Sequence, residues 1–165
     1  MTLQEELGLD LPFKDLRHEA VINIVRTATV LASAGDSLFR RFDMTEAQFN
    51  ILFLLKYKEN PVTQADLGRR LVVTRASITS VLDRLEAKGL VQRLNVAGNR
   101  RIHHDELTKE GERLLDRIEP EYRLGLREAT ADLSEAECRQ LTRLLERLRA
   151  TAGDVRDELA GDLPG

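Results

Sequence analysis

Aromatic side chains are scarce. The 165 residues include no tryptophan, two tyrosines and five phenylalanines, 4% in all, which fits a helix-rich soluble protein. Only one cysteine, Cys138, is present, so no internal disulfide can form, in keeping with a reducing cytoplasm. No apolar run is long enough to span a bilayer, so no membrane partner is expected. The acidic start, MTLQEELGLD, has no apolar stretch of the kind a secretory signal needs. The chain also lacks a GxxxxGK[ST] loop, GxGxxG, HExxH and GxSxG. An enzyme is therefore not expected, nor are a catalytic residue, a cofactor or a bound metal. Internal repeats and low-complexity tracts are missing too.

What is present suffices for a core. Hydrophobic residues make up 42% and charged ones 32%, and the length suits one domain or a small unit continuous with an oligomerisation unit. Net charge is −3, but it is unevenly spread. Between Thr63 and Leu107 stand eight lysines and arginines against five acidic residues; the remainder has 17 against 23. A basic patch on an acidic body turns one face toward a polyanion and repels the others.

That basic segment is also the most patterned. Thr63 caps a short helix with Asp66 at its third position, and Leu67 and Leu71 point inward. A short turn at Val72-Val73 follows, and Thr74 caps a second helix. There Ile78, Val81, Leu82 and Leu85 fall at i, i+3, i+4 and i+7 and make one buried face. The opposite face carries Ala76, Ser80, Asp83 and Ala87, flanked by Thr79, Ser77 and Arg84. Small hydroxylated residues beside arginines suit a helix lying against base edges and phosphates. Gly89 fits a left-handed cap followed by its apolar contact, Leu90. Strands are predicted from Leu90 to Leu94 and from Arg101 to Leu107, joined by Asn95 to Asn99. The whole reads as a winged helix-turn-helix that binds double-stranded DNA.

Helices flank this segment. Residues 1–13 read as a loose arm. From Leu16 to Phe42, Val21, Ile24, Ala28, Leu31, Gly35, Leu38 and Phe42 form a heptad-like stripe, long enough to call for a partner helix. Thr45 to Gln48 is a capping box, opening a helix through Phe49, Leu52, Phe53 and Leu55 that ends before Asn60-Pro61. Thr108 starts another helix, with Leu114, Leu115 and Ile118 inward and a kink or restart expected at Pro120. Ser134 to Glu137 is a second capping box. The helix after it lines up Cys138, Leu141, Leu144, Leu145 and Leu148 on one face and leaves Arg139, Arg143, Arg147 and Arg149 mostly solvated. The fold class is mainly α with a small β-wing: a winged helix-turn-helix flanked by N- and C-terminal dimerisation helices. The divisions are 1–42 for arm and dimerisation helix, 45–107 for the DNA-binding lobe, 108–153 for the C-terminal dimerisation helices and 154–165 for a frayed tail.

DMTEAQFNIL, TQADLGRRLVVTRASITSVLDRLEAKGLVQR, NRR and LTKEG, in this order and spacing over roughly residues 16–148, together resemble the MarR family of bacterial transcriptional regulators. The resemblance implies a homodimer in which the N-terminal helix and the last two helices interlock, with two winged lobes on one palindromic operator. In many members of that family a small aromatic or phenolic effector releases the DNA, which the resemblance implies here; the function expected of this chain is that of a repressor. The family wing usually carries Asp-x-Arg, the acid helping to fix an arginine in the minor groove. Here Asn99, Arg100 and Arg101 stand at that place, so a neutral acceptor replaces the acid. The returning strand, with His103, His104, Asp105 and Glu106, is more polar than the family's usual one.

Other readings compete. His103 and Asp105 share a strand face and could supply two metal ligands, but a local ion pair or hydrated face explains them as well. Cys138 is expected to act as a small hydrophobe rather than a redox sensor, because the family's oxidant sensors carry their cysteine near the N-terminus. A winged-helix module used only for protein association is the alternative function. It has no need of arginines at both the groove helix (Arg75, Arg84) and the wing (Arg100, Arg101).

Overall fold

A computed structural model describes residues 2–59, 62–71, 75–96 and 99–161, and among these all side chains except those of 65, 69, 70, 75–77, 95, 96, 99–103, 156, 157 and 159–161. The elements run α1 (Leu3–Glu6), α2 (Leu16–Arg40), α3 (Glu46–Lys56), α4 (Gln64–Arg70), α5 (Arg75–Ala87), β1 (Val91–Val96), β2 (Asn99–Leu107), α6 (Lys109–Ala129) and α7 (Glu135–Gly161). The protein is mainly helical with a two-stranded antiparallel ribbon, a winged helix-turn-helix. Two compact units divide the chain, Met1–Arg123 and Leu124–Gly165.

In the first unit, side-chain caps set where helices start. Thr45 accepts from the Gln48 N–H at 3.2 Å while Gln48 accepts from the Thr45 N–H at 2.9 Å. Thr63 and Asp66 exchange bonds in the same way. Each box satisfies end N–H groups that a helix leaves unpaired. At the end of α2 the chain doubles back through Asp43 at φ 53°, and the Met44 N–H donates to Phe39 O at 3.0 Å. This reversal delivers Thr45 to the start of α3.

The core lies where α3, α4, α5 and α6 meet. Ile51, Leu52, Leu67, Leu82, Leu85, Leu115 and Ile118 are all fully buried, and burial of each side chain contributes about 1.5–3 kcal/mol. The expected inward stripe of α5 is seen, with Ile78, Leu82 and Leu85 buried and Val81 half-buried against them. Phe39, Phe49, Phe53, Tyr57 and Tyr122 add an aromatic layer. Its ring centroids lie 4.6 Å apart for Phe39–Phe49, 4.8 Å for Phe49–Tyr122 and 4.7 Å for Phe53–Tyr57.

Four local expectations change. The N-terminal arm is not wholly loose: Thr2 and Glu5 form a capping box on α1, Leu3 is buried, and Glu6 pairs with Arg26 at 3.3 Å. At Pro120, where a kink or a restart was expected, the helix does not restart: α6 runs through it, with buried Ile118 and half-buried Tyr122 on either side. The last helix passes residue 154, where fraying was expected, and reaches Gly161. The ribbon is longer than its sequence signals, since Val96 and Asn99 are paired where a turn was expected.

In the single chain, the stripe on α2 is partly open. Val21 and Leu31 are 48% and 49% exposed and Ala28 is exposed too, whereas Ile24, Gly35, Leu38 and Phe42 are half-buried; Val25, outside the stripe, is 58% exposed. In the second unit, Leu141, Leu144 and Leu148 are exposed and Cys138 and Leu145 half-buried.

Candidate nucleic-acid interface

The interface is built from α4, α5 and the ribbon. Thr74 and the turn at 72–73 lie outside the described residues; Arg75, Ala76 and Ser77 open α5, their side chains undescribed. Thr79, Ser80 and Arg84 are exposed along α5, opposite its buried stripe. Thr79 Oγ1 lies 3.5 Å from Gln64 Oε1, so the start of α4 borders the same surface. Asn99, Arg100 and Arg101 form the first three positions of β2, again with undescribed side chains. Within the ladder Asn95 pairs with His103 but Val96 with Asn99. The bulge thus places residues 100–102 in an extra stretch of the outer strand, a device that re-aims side chains.

The two edges of α5 are tied differently. On one edge, Arg93 of β1 donates from Nη2 to Asp83 Oδ1 at 2.5 Å and sits 3.3 Å from Glu86 Oε2. Its Nε is 3.8 Å from Oδ1 of Asp105, its cross-strand neighbour. Burial works against the Arg93 charge, yet the Asp83 hydrogen bond and the attraction of Glu86, Asp83 and Asp105 outweigh it. The guanidinium is therefore held charged above its ordinary range. Asp83, expected beside the bases, spends its carboxylate on the ribbon. On the other edge, Arg84, Ala87 and Lys88 line a cavity of about 560 Å³ with Arg40, Met44 and Gln48. Lys88 Nζ donates to Asp43 Oδ2 at 2.7 Å, linking the end of α5 to the α2–α3 corner. Ala87 faces this corner.

The ribbon's root explains LTKEG. Gly89 takes φ 69°, and the Leu90 N–H returns to Leu85 O at 2.9 Å. Thr108 Oγ1 donates to Gly89 O at 2.6 Å and accepts from the Gly111 N–H at 3.1 Å, while the Thr108 N–H donates to Leu90 O at 3.1 Å. A Cβ at residue 111 would stand 2.2 Å from Leu90 O, so only glycine fits beneath the ribbon. On its outer side, β2 is held by Val62: the Asp105 N–H donates to Val62 O at 3.2 Å, and Lys58 Nζ to Asp105 O at 2.8 Å.

The roles of Arg93, Gly111 and Asp105 go beyond what residue patterns showed. The one usable signal was Asp83 and Glu86, spaced i,i+3 ahead of a strand arginine. The polar strand has its own resolution, since Asp105 is fully buried and paired with Arg93. No cluster of three or more metal-binding side chains occurs among the described residues.

A capped helix, a second helix with an open hydroxylated face and a ribbon beside it define a DNA-reading winged helix. The MarR family model matches residues 42–102, from the end of α2 into the wing. The homoprotocatechuate degradative operon repressor of Escherichia coli is 32% identical over 126 residues, covering 76% of this chain and 84% of that protein. The HTH-type transcriptional regulator PecS of Dickeya dadantii is 30% identical over 125 residues, 74% of this chain and 75% of that one. In fold, the chain matches Sco3205, a MarR family regulator from Streptomyces coelicolor solved in complex with DNA. That match has a TM-score of 0.75 at 23% identity and covers 85% of this chain and 91% of the other. The chain belongs to the MarR family and is a DNA-binding transcriptional regulator; its relatives are regulators, not enzymes. Among the described residues, no helix is long and apolar enough to cross a membrane.

Proposed function

We propose that the protein is a cytoplasmic homodimeric repressor that reads a pseudo-palindromic operator. The observation that carries the dimer is the open apolar surface: Val21, Val25 and Leu31 on α2, and Leu141, Leu144 and Leu148 on α7. Side chains of this kind at helical spacing gain by burial against a second copy. The divisions 1–42 and 108–153 would then hold the dimer and 45–107 would read DNA, leaving 154–165 as a C-terminal extension. Two recognition helices in successive major grooves would sit about 34 Å apart, with half-sites about 10 bp apart.

Within each lobe, Thr74, Arg75, Ala76, Ser77, Thr79 and Ser80 would meet the major groove with Arg84 at its edge, and Asn99, Arg100 and Arg101 the minor groove. Arg100→Ala or Arg101→Ala should weaken binding on most sequences and flatten the salt dependence. Ser77→Ala or Ser80→Ala should instead shift base preference by about 1–3 kcal/mol per position. Selecting duplexes from random DNA and sizing the free protein by light scattering tests the reading. A monomer at micromolar concentration, or selected sites without dyad symmetry, would refute it.

For the effector, the name of the Escherichia coli relative connects it to an operon that degrades a phenolic acid. In this chain, the region where α2, α3 and α6 meet holds the Phe39, Phe49, Phe53, Tyr57 and Tyr122 rings, with Tyr57 OH donating to Glu119 Oε2 at 3.0 Å. A small aromatic acid would have to stack against these rings and favour a lobe spacing that no longer fits the operator. If a panel of aromatic acids neither raises the melting temperature nor releases DNA, the aromatic layer is structural only.

A further inference from the structure

Three carboxylates surround one guanidinium beside the recognition helix. Asp83 and Glu86 leave the same edge of α5, Asp105 faces Arg93 across the ladder, and Arg93 stands between them with 23% of its side chain exposed. Three acids thus converge on this arginine, with the Lys58 ammonium bonded to the Asp105 backbone carbonyl behind them, next to a surface that must approach phosphates. For DNA affinity alone these acids are unfavourable. Their geometry indicates another use.

We propose that Arg93 is the positioning residue of the wing: it ties the ribbon to the recognition helix so that both enter one duplex as a rigid pair, without touching DNA itself. The inference rests on the DNA-binding reading above. Between α5 and β1 the backbone link is only Lys88 to Leu90. From Arg93 to Val96 the strand extends about 10 Å further, so a tilt of about 10° at Arg93 moves the ribbon's end by about 2 Å. A shift of that size exceeds the tolerance of a hydrogen bond to a groove edge. A single exposed ion pair would not resist such a tilt, but here two helix carboxylates, Asp83 and Glu86, hold the Nη groups while Nε faces the fully buried Asp105 of the ribbon at 3.8 Å, so the guanidinium is fixed in direction as well as distance.

Electrostatics and positioning predict opposite outcomes when the helix-side acids are removed. Asp83→Asn with Glu86→Gln deletes two negative charges near DNA while leaving the Arg93–Asp105 pair. By charge alone this variant binds more tightly. By positioning it binds about tenfold more weakly. A duplex selected by the wild-type protein from random sequence is the probe, titrated at two salt concentrations. Hydroxyl-radical cleavage reads the minor groove under the wing, and dimethyl sulfate reads guanines under the helix. In the double variant and in Arg93→Lys, which keeps the charge but loses the fork, the expected result is loss of minor-groove protection with major-groove protection retained at saturation. Binding as tight as wild type with the wing footprint intact overturns the proposal. Parallel loss of both footprints also overturns it, since Arg93 would then serve general stability. Failure of the wild-type protein to select any duplex would refute the DNA-binding reading instead.

Discussion

Replacing Gly111 by alanine should damage both stability and DNA binding, although alanine is the better helix former. Gly111 is the third residue of α6, so the substitution gains about 1 kcal/mol of helix propensity. Against this, the new Cβ stands 2.2 Å from Leu90 O and 3.1 Å from both Leu90 C and Leu107 Cδ2. The first of these neighbours is backbone, so α6 or the ribbon root must retreat by about 1 Å, an overpacking strain of about 1–3 kcal/mol. The same movement stretches the 3.1 Å bond from the Thr108 N–H to Leu90 O beyond useful length. Leaving those groups unmade costs about 1–3 kcal/mol more. The net effect is a loss of about 3 kcal/mol, read in urea as a lower midpoint with an unchanged slope. Leu90 immediately precedes β1, so affinity for a selected duplex should also fall under conditions where the variant is still folded. A variant as stable as wild type would refute the steric account. A destabilised variant with unchanged affinity would show that the root does not orient the wing.

The departure at Asn99 predicts that Asn99→Asp changes affinity by no more than about tenfold, roughly 1.4 kcal/mol, because the gain at the wing arginine is offset by phosphate repulsion. Asn99→Leu should do more harm, having lost the acceptor, and titration of one duplex with all three proteins at two salt concentrations decides the point. At the start of α7, hydrogen bonds from the Ser134 hydroxyl and backbone N–H hold the Glu137 carboxyl below its ordinary value of 4.5. Because the folded value is lowered, the cap's contribution is present above the ordinary value and lost as pH falls through the depressed one. An NMR titration should show Glu137 returning toward 4.5 in Ser134→Ala; an unchanged titration would mean that Ser134 is not the cause.

Much was determined by the sequence alone, because its signals were local. The capping boxes at Thr45 and Ser134 and the cap at Thr63 mark helix starts within four residues, and the i, i+3, i+4, i+7 stripe of Ile78, Val81, Leu82 and Leu85 decides which face of α5 is buried. Gly89 announced its own left-handed cap. Only the tertiary structure could decide what depends on partners distant in the chain. Pro120 stays helical because α6 is held in place by packing, which overrides the lost backbone donor. Asp83 faces away from the buried stripe, yet Arg93 turns it toward the ribbon. A fully buried Asp105 in a polar strand has no local signature, since it depends on Arg93 across the ladder and on Val62 beyond it. Gly111 reads as a weak point in a helix until Leu90 O is found 2.2 Å from where its side chain would be. Local propensity is written in neighbouring residues, but close approach between elements exists only once the chain has folded.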